Sequence, residues 1–277
     1  MPVDAKEHYE HVTDAWKEFM GEHLHFGYFE SEDMDLARAT EVMADKMLEL
    51  CPITADSRVL DVGCGIGGPA FYLHSKTGCS IDGISTSERG VELANAASRE
   101  KGYDNKVRFK VADGMDNGFP DETFDVAWVM ESSHLMADKR RLLRECYRVL
   151  KKGGTLILCD LISLMNMPFY REMIVYALRY KEFMRLLKAF GPGNVTRLGI
   201  YCDFCVEAGF REFTAFNITE HTTPTMMRWR DNAIRFRDNE SGDFSREDVE
   251  DFIAGCETLD KFFRKGRFGY GMLRAIK

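Results

Sequence analysis

The 277-residue chain has no excess of positive charge: 37 lysines and arginines stand against 45 aspartates and glutamates, a net of −8. A surface of that sign does not follow a phosphate backbone, so a nucleic-acid partner is not expected. No apolar run approaches about 18 residues, so no membrane span and no membrane partner is expected. Met1 to Lys17 are polar and contain no apolar core of a signal peptide. Internal repeats and low-complexity segments are missing. The eight cysteines form no framework of four ligands. Cys202-x-x-Cys205 is the closest pair, and it lies in a helical pattern; no metal or redox role is expected for it. Reduced thiols in a cytoplasmic protein fit this usage better.

What the chain does have is a core and a glycine turn. At 45% hydrophobic it can bury a sizeable interior. Val59-Leu60-Asp61-Val62-Gly63-Cys64-Gly65-Ile66-Gly67-Gly68 reads as a short buried strand, a glycine turn and the start of a helix. Gly63, Gly65 and Gly67 let the backbone turn sharply and let a ligand rest against the main chain. Gly63, Gly65 and Gly68 also satisfy G-x-G-x-x-G, which fits a dinucleotide. Asp61, two residues before the first glycine, is poorly placed for a pyrophosphate. It is well placed for an ammonium or sulfonium ligand at the end of a strand.

Periodicity predicts helices over 4–20 and 35–50, then alternating strands and helices from Ser57. Strands fit at 57–62, 79–84, 106–111, 124–130 and 154–161, and helices at 67–76, 88–101 and 138–150. This is the pattern of an α/β doubly wound sheet. Residues 165–190 read as one long aromatic element, stopped by Gly191-Pro192-Gly193. A helix at 197–208, a strand at 211–218, helices at 225–238 and 246–263, and a strand at 268–276 follow. The expected division is a helical cap over 1–50, a ligand-binding core over 51–164 and a helical lid over 165–196. The rest of the core, with its last two strands, then occupies 197–277, interrupted by a helical insertion at 222–263. Between 165 and 237 eleven lysines and arginines face seven acids. The caps are thus more basic than the rest.

The ends of the other strands carry a consistent set of side chains. Ser85 and Thr86 stand where a ribose reader is usually found, and the usual acid is missing. Asp113, Gly114 and Met115 follow the third strand; the acid can accept from an adenine amino group and the methionine can cover the ring. Glu131 and His134 follow the fourth strand. A histidine there can act as general base on a hydroxyl. Asp160, at the end of the fifth strand, can orient His134 or meet the acceptor.

Val59–Gly68, Ile84–Ser87, Ala112–Met115, Trp128–Met136 and Glu145–Asp160 together resemble the class I S-adenosylmethionine methyltransferases of natural-product pathways. The pattern is similar to the sugar O-methyltransferase of rebeccamycin biosynthesis, with tocopherol and prenyl-diphosphate C-methyltransferases as relatives. The resemblance implies a Rossmann-like seven-stranded sheet with helical caps, S-adenosylmethionine as cofactor and a small-molecule substrate. It implies that Tyr9 and Tyr28 help close the site over the methionine end, with His25-Phe26-Gly27-Tyr28 as the matching segment. It places Asp61, Gly63, Gly65, Gly67, Ser85, Thr86, Asp113, Gly114, Met115 and Glu131 on the cofactor, and His134 and Asp160 at the acceptor hydroxyl. Three alternatives stay open: C-methylation of a prenyl diphosphate held by the basic cap, an NAD-dependent oxidoreductase, and a non-catalytic protein of the same fold. A homo-oligomer is also left open.

Overall fold

The structure, a computed structural model, describes residues 19–20, 24–239 and 245–277. Tyr9 and nearly all of the helix expected over 4–20 lie outside the described residues.

The described elements begin with α1 (Leu36–Leu50), β1 (Arg58–Val62), α2 (Gly68–Thr77), β2 (Ser80–Ser85) and α3 (Glu88–Glu100). Next come β3 (Val107–Val111), β4 (Phe124–Met130), a single 3₁₀ turn at Ser133–Leu135, α4 (Lys139–Val149) and β5 (Leu150–Ser163). Then α5 (Phe169–Leu178), α6 (Tyr180–Phe190), α7 (Leu198–Ala208) and β6 (Arg211–Asn217). The chain ends with α8 (Thr219–Thr222), α9 (Pro224–Asn239), α10 (Arg246–Arg264) and β7 (Phe268–Ile276).

The seven strands form one sheet in the order β3-β2-β1-β4-β5-β7-β6. The first five are parallel, and β7 runs antiparallel between β5 and β6. Alternation along each strand sorts residues between two helical layers. Val59 belongs to the apolar cluster that includes residues of α1, α2 and α10, while Leu60 and Val62 belong to the one that includes residues of α4 and α7. By the same alternation Asp61 shares the side of Val59. On β5, Ile157 and Cys159 join the first layer and Leu156 and Leu158 the second. Asp160 therefore faces the second layer, towards α7.

Two expectations need correction. The single element expected over 165–190 is two helices, α5 and α6. The break is at Arg179, whose φ of −114° and ψ of 18° are not helical. Helical spacing of the apolar residues continues across it, so periodicity alone hides the kink. The fifth strand is also longer than expected, because Leu150 onwards extends as a continuation of β5.

Candidate active site

Strand order reverses between β1 and β4. Their carboxyl ends therefore open side by side into a crevice. The turn after β1 is pinned there: the N–H groups of Gly63 and Cys64 both donate to Ile84 O, at 2.8 and 2.9 Å. Gly63 has φ 82°, and a Cβ on it would stand 2.1 Å from Ser132 Cβ. Gly65 has φ 52° and nothing within 4 Å of the position of a Cβ. Its bare backbone faces open space at the crevice. Gly67 does not border the crevice; it caps α2 with φ 87°, close against the rings of Phe71 and Phe109. Its requirement is a turn, and nothing in its surroundings assigns it to a cofactor.

Asp61 is 3% exposed, and its Oδ2 has no hydrogen-bond partner among the described residues. Burial pushes its carboxyl up to about 7. An unpaired buried acid is costly and asks for a cation or a donor.

Ser85, Thr86, Asp113, Gly114, Met115, Glu131 and His134 all line one cavity of about 870 Å³. Ser85 Oγ accepts from Ser87 N–H at 3.2 Å. Asp113 Oδ1 accepts from Met115 N–H at 2.8 Å. One Asp113 oxygen thus shapes its own loop, and the second is left for a ligand. Gly114 packs so tightly that a Cβ would stand 2.8 Å from Val62 Cγ1.

Glu131 is one of three non-glycine residues with positive φ among those described, at 48°. Its Oε1 accepts from Phe26 N–H and from Tyr270 Oη, both at 2.5 Å. Burial pushes its carboxyl up to about 8, against the pull of these donors. The strained backbone and enclosed acid hold the segment at Phe26 onto the cavity wall. Tyr28 behaves differently from expectation. Its ring stacks on His221 at 4.2 Å and lies under the Lys46 ammonium, away from the cavity. Phe26 takes the inward position, packed on Trp229 and Tyr270 at 4.8 and 5.1 Å.

His134 and Asp160 meet at the same edge. His134 Nδ1 lies 2.7 Å from Asp160 Oδ1. Asp160 is fully buried and also accepts from His134 N–H at 2.8 Å, Leu161 N–H at 2.7 Å and Ser133 Oγ at 2.5 Å. Burial works to raise its pKa, but the imidazole and these donors win, and the carboxyl sits below its ordinary value. Ser133 Oγ in turn lies 2.7 Å from Tyr201 Oη, on α7. Ser133 and Tyr201 are thus part of the site, though neither stands out in the sequence.

Much of the rest of the cavity wall is apolar, with Leu161, Phe183, Phe190, Trp229 and Phe268 among its residues, though His25, Ser87 and Ser132 line it too. Among the described residues no lysine or arginine lines it. The Trp229 indole N–H is buried without a partner among the described residues, a donor available to a bound oxygen.

Comparison with known proteins agrees with this geometry. A family model described as a methyltransferase domain matches residues 60–158. The 27-O-demethylrifamycin SV methyltransferase of Amycolatopsis mediterranei is 31% identical over 276 residues, covering 100% of this chain and 97% of the relative. The chain is a class I S-adenosylmethionine-dependent methyltransferase. The tocopherol O-methyltransferase of Arabidopsis thaliana is 34% identical to this methyltransferase over 164 residues, 55% of this chain and 47% of that one. The cyclopropane synthase MmaA2 of Mycobacterium tuberculosis shares its fold, with a TM-score of 0.86 at 18% identity over 99% and 97% of the two chains. S-adenosylmethionine is the cofactor of this methyltransferase. The residues fit that group: Gly65 offers an open backbone cradle, and Asp61 leaves a buried carboxylate oxygen without a partner. Membership in this family removes the oxidoreductase reading. Among the described residues no helix is long and apolar enough to cross a membrane, and no cluster could hold a metal ion.

Proposed function

We propose that this methyltransferase methylates a hydroxyl group of an uncharged, largely apolar small molecule, with His134 as general base. The observation that carries the reading is the His134 Nδ1–Asp160 Oδ1 contact of 2.7 Å, with His134 on the cavity wall. The rifamycin and tocopherol relatives are O-methyltransferases, which supports the same reading.

S-adenosylmethionine supplies a methyl group already activated by a positively charged sulfur. The chain's part is to hold, align and deprotonate. The turn at Gly63 and Gly65, with Asp61 behind it, would seat the methionine end, and Glu131 would close that end. Ser85 and Thr86 would meet the ribose, and Asp113 and Met115 the adenine. Asp160 fixes the His134 tautomer by facing its Nδ1–H, which leaves the Nε2 lone pair for the acceptor. When the methyl group leaves sulfur for the acceptor oxygen, His134 Nε2 would take the hydroxyl proton, and the Asp160 anion would steady the resulting imidazolium. The apolar wall excludes water and orients the acceptor. Within this reading residues 51–164 and the last two strands are the cofactor core. Residues 1–50, 165–196 and 222–263 are caps that select the acceptor.

The cavity wall gives no support to a prenyl diphosphate acceptor. The basic cap residues Arg171, Arg179, Lys181, Arg185 and Lys188 are all absent from it. Arg179 is paired with Glu182, and Lys188 with Glu247 and Asp251. Among the described residues, a buried diphosphate would meet no lysine or arginine to neutralise it.

The test is methyl transfer to a panel of neutral apolar alcohols, with geranyl diphosphate as contrast. His134→Ala is expected to cut turnover by roughly a hundredfold to ten-thousandfold, with S-adenosylmethionine affinity unchanged in calorimetry. Asp160→Asn is expected to follow it in direction. Wild-type turnover in His134→Ala would remove the base from the mechanism. Transfer to geranyl diphosphate in preference to the alcohols would overturn the acceptor class.

A further inference from the structure

Eleven large hydrophobic side chains stand exposed among the described residues, and seven of them fall between Tyr170 and Met184. Leu178 is 79% exposed, and Tyr170, Met173, Ile174, Tyr180 and Met184 are each at least 40% exposed. Scattered single exposures are ordinary, but a continuous set on one helix pair is not. The inner faces of the same helices are already occupied. Val175, Phe183, Leu186 and Phe190 pack against the core, and the Tyr176 ring rests 4.3 Å from that of Phe183. Helices α5 and α6 therefore carry an apolar outer face beyond the one that packing needs.

That outer face is also cationic. Arg171, Lys181 and Arg185 are exposed and form no ion pair among the described residues. Of the two acids on these helices, Glu182 is taken up by Arg179 and Lys261, and Glu172 alone stands against the three cations. Apolar side chains, tyrosines and unpaired cations on one short helical hairpin are the chemistry of an interfacial element. The face is continuous with the active site: Tyr176, Tyr180 and Met184 are exposed and also line the cavity.

We propose that the outer face of α5 and α6 docks on an anionic lipid surface, and that the apolar acceptor enters the cavity from that surface across Tyr176, Tyr180 and Met184. Ile174 and Leu178 would dip into the acyl boundary, the tyrosines would sit at the headgroup level, and the three cations would meet lipid phosphates. No spanning helix is needed. The expectation of no membrane partner rested on the lack of a span, and this face departs from it. A second copy of the chain is the weaker occupant, because a two-fold contact would bring the same unpaired cations together. The docking stands independently of the methyl-transfer mechanism; only the entry route rests on it.

Flotation of the full chain with phosphatidylcholine vesicles, with and without phosphatidylglycerol, tests the docking. Binding is expected on the anionic vesicles and not on the neutral ones, and is expected to weaken as salt rises. Neutralising Arg171, Lys181 and Arg185 together to glutamine is expected to lower partition about a hundredfold, at about fivefold per charge. Leu178→Glu, on a side chain outside the cavity wall, is expected to abolish binding while circular dichroism and S-adenosylmethionine affinity stay unchanged. His134→Ala is expected to bind vesicles as wild type does, so a failed base assignment and a failed docking face give different results. Equal partition onto both vesicle types would overturn the proposal. So would no binding to either, or a dimer in sedimentation that Leu178→Glu splits.

Discussion

At the scale of single residues, the site depends on how one buried carboxylate is supported. Ser133 has a single hydroxyl proton, and it points at Asp160 Oδ2. The Tyr201 hydroxyl must then be the donor in its 2.7 Å contact with Ser133. The chain of donors runs Tyr201 to Ser133 to Asp160, with His134 on the far side. Weakening it leaves the Asp160 charge less satisfied and more strongly felt by His134. Ser133→Ala is expected to move the acid limb of the kcat/KM pH profile to higher pH, and Tyr201→Phe is expected to move it less in the same direction. A loss of turnover with the limb unmoved would mean that both residues only fill space. The meeting of His134 and Asp160 was legible in the sequence because His134 follows β4 and Asp160 stands near the end of the neighbouring β5. The Tyr201–Ser133 contact was not, because it joins positions 68 apart and depends on how α7 packs on the sheet. Tyr28 misled for a related reason. Two aromatics two residues apart offered the same chemistry, and only the docking of the segment on Glu131 decides that Phe26 faces inward.

At the scale of elements, the βα repeat was legible because each strand is short, apolar and followed by a turn signal. The sheet interior needs little more than that pattern. The antiparallel placement of β7 between β5 and β6 is set by tertiary pairing, and local pattern is silent on it. The break between α5 and α6 was hidden for the same reason, although it gives the cavity one of its walls. That wall is held by a close approach of α6 and α10. A Cβ on Gly255 would stand 2.2 Å from Ala189 Cβ, a distance that packed side chains do not tolerate. Gly255→Ala must push α6 outward, carrying Phe183 and Phe190 with it. Overpacking of this kind costs about 1–3 kcal/mol, so melting is expected several degrees below wild type. KM for the acceptor is expected to rise while cofactor affinity holds, because the glycine turn of β1 lies on other elements. An unchanged melting temperature and KM would show that α6 is not fixed by this contact.

At the scale of the whole molecule, the buried acids couple stability to cofactor charge. Burial raises Asp61 to about 7 and Glu131 to about 8. Between the ordinary carboxyl range and those values, the folded state holds protons that the unfolded chain has already released. The free energy of unfolding of the ligand-free protein is therefore expected to fall as pH rises through that window. Asp160 acts in the opposite sense: its lowered pKa contributes stability at neutral pH that is lost as pH falls below the ordinary carboxylate range. The two effects place the most stable ligand-free state on the acid side of neutrality. A sulfonium ligand changes the balance, since it favours the ionised carboxylates and displaces their protons. S-adenosylmethionine affinity is therefore expected to increase as pH rises towards about 8, and to level off above it. S-adenosylhomocysteine shares the adenosine and amino-acid ends but has no charge on sulfur. The ratio of the two affinities isolates the sulfonium contribution from every other titration. Calorimetry across about pH 6 to 9 is expected to show that ratio growing in wild type up to about 8, and in Glu131→Gln growing less and levelling off near about 7, where only Asp61 still titrates. A ratio that ignores pH in wild type would take Glu131 and Asp61 away from the sulfur, and leave the strain at Glu131 with only the Phe26 and Tyr270 contacts to explain it.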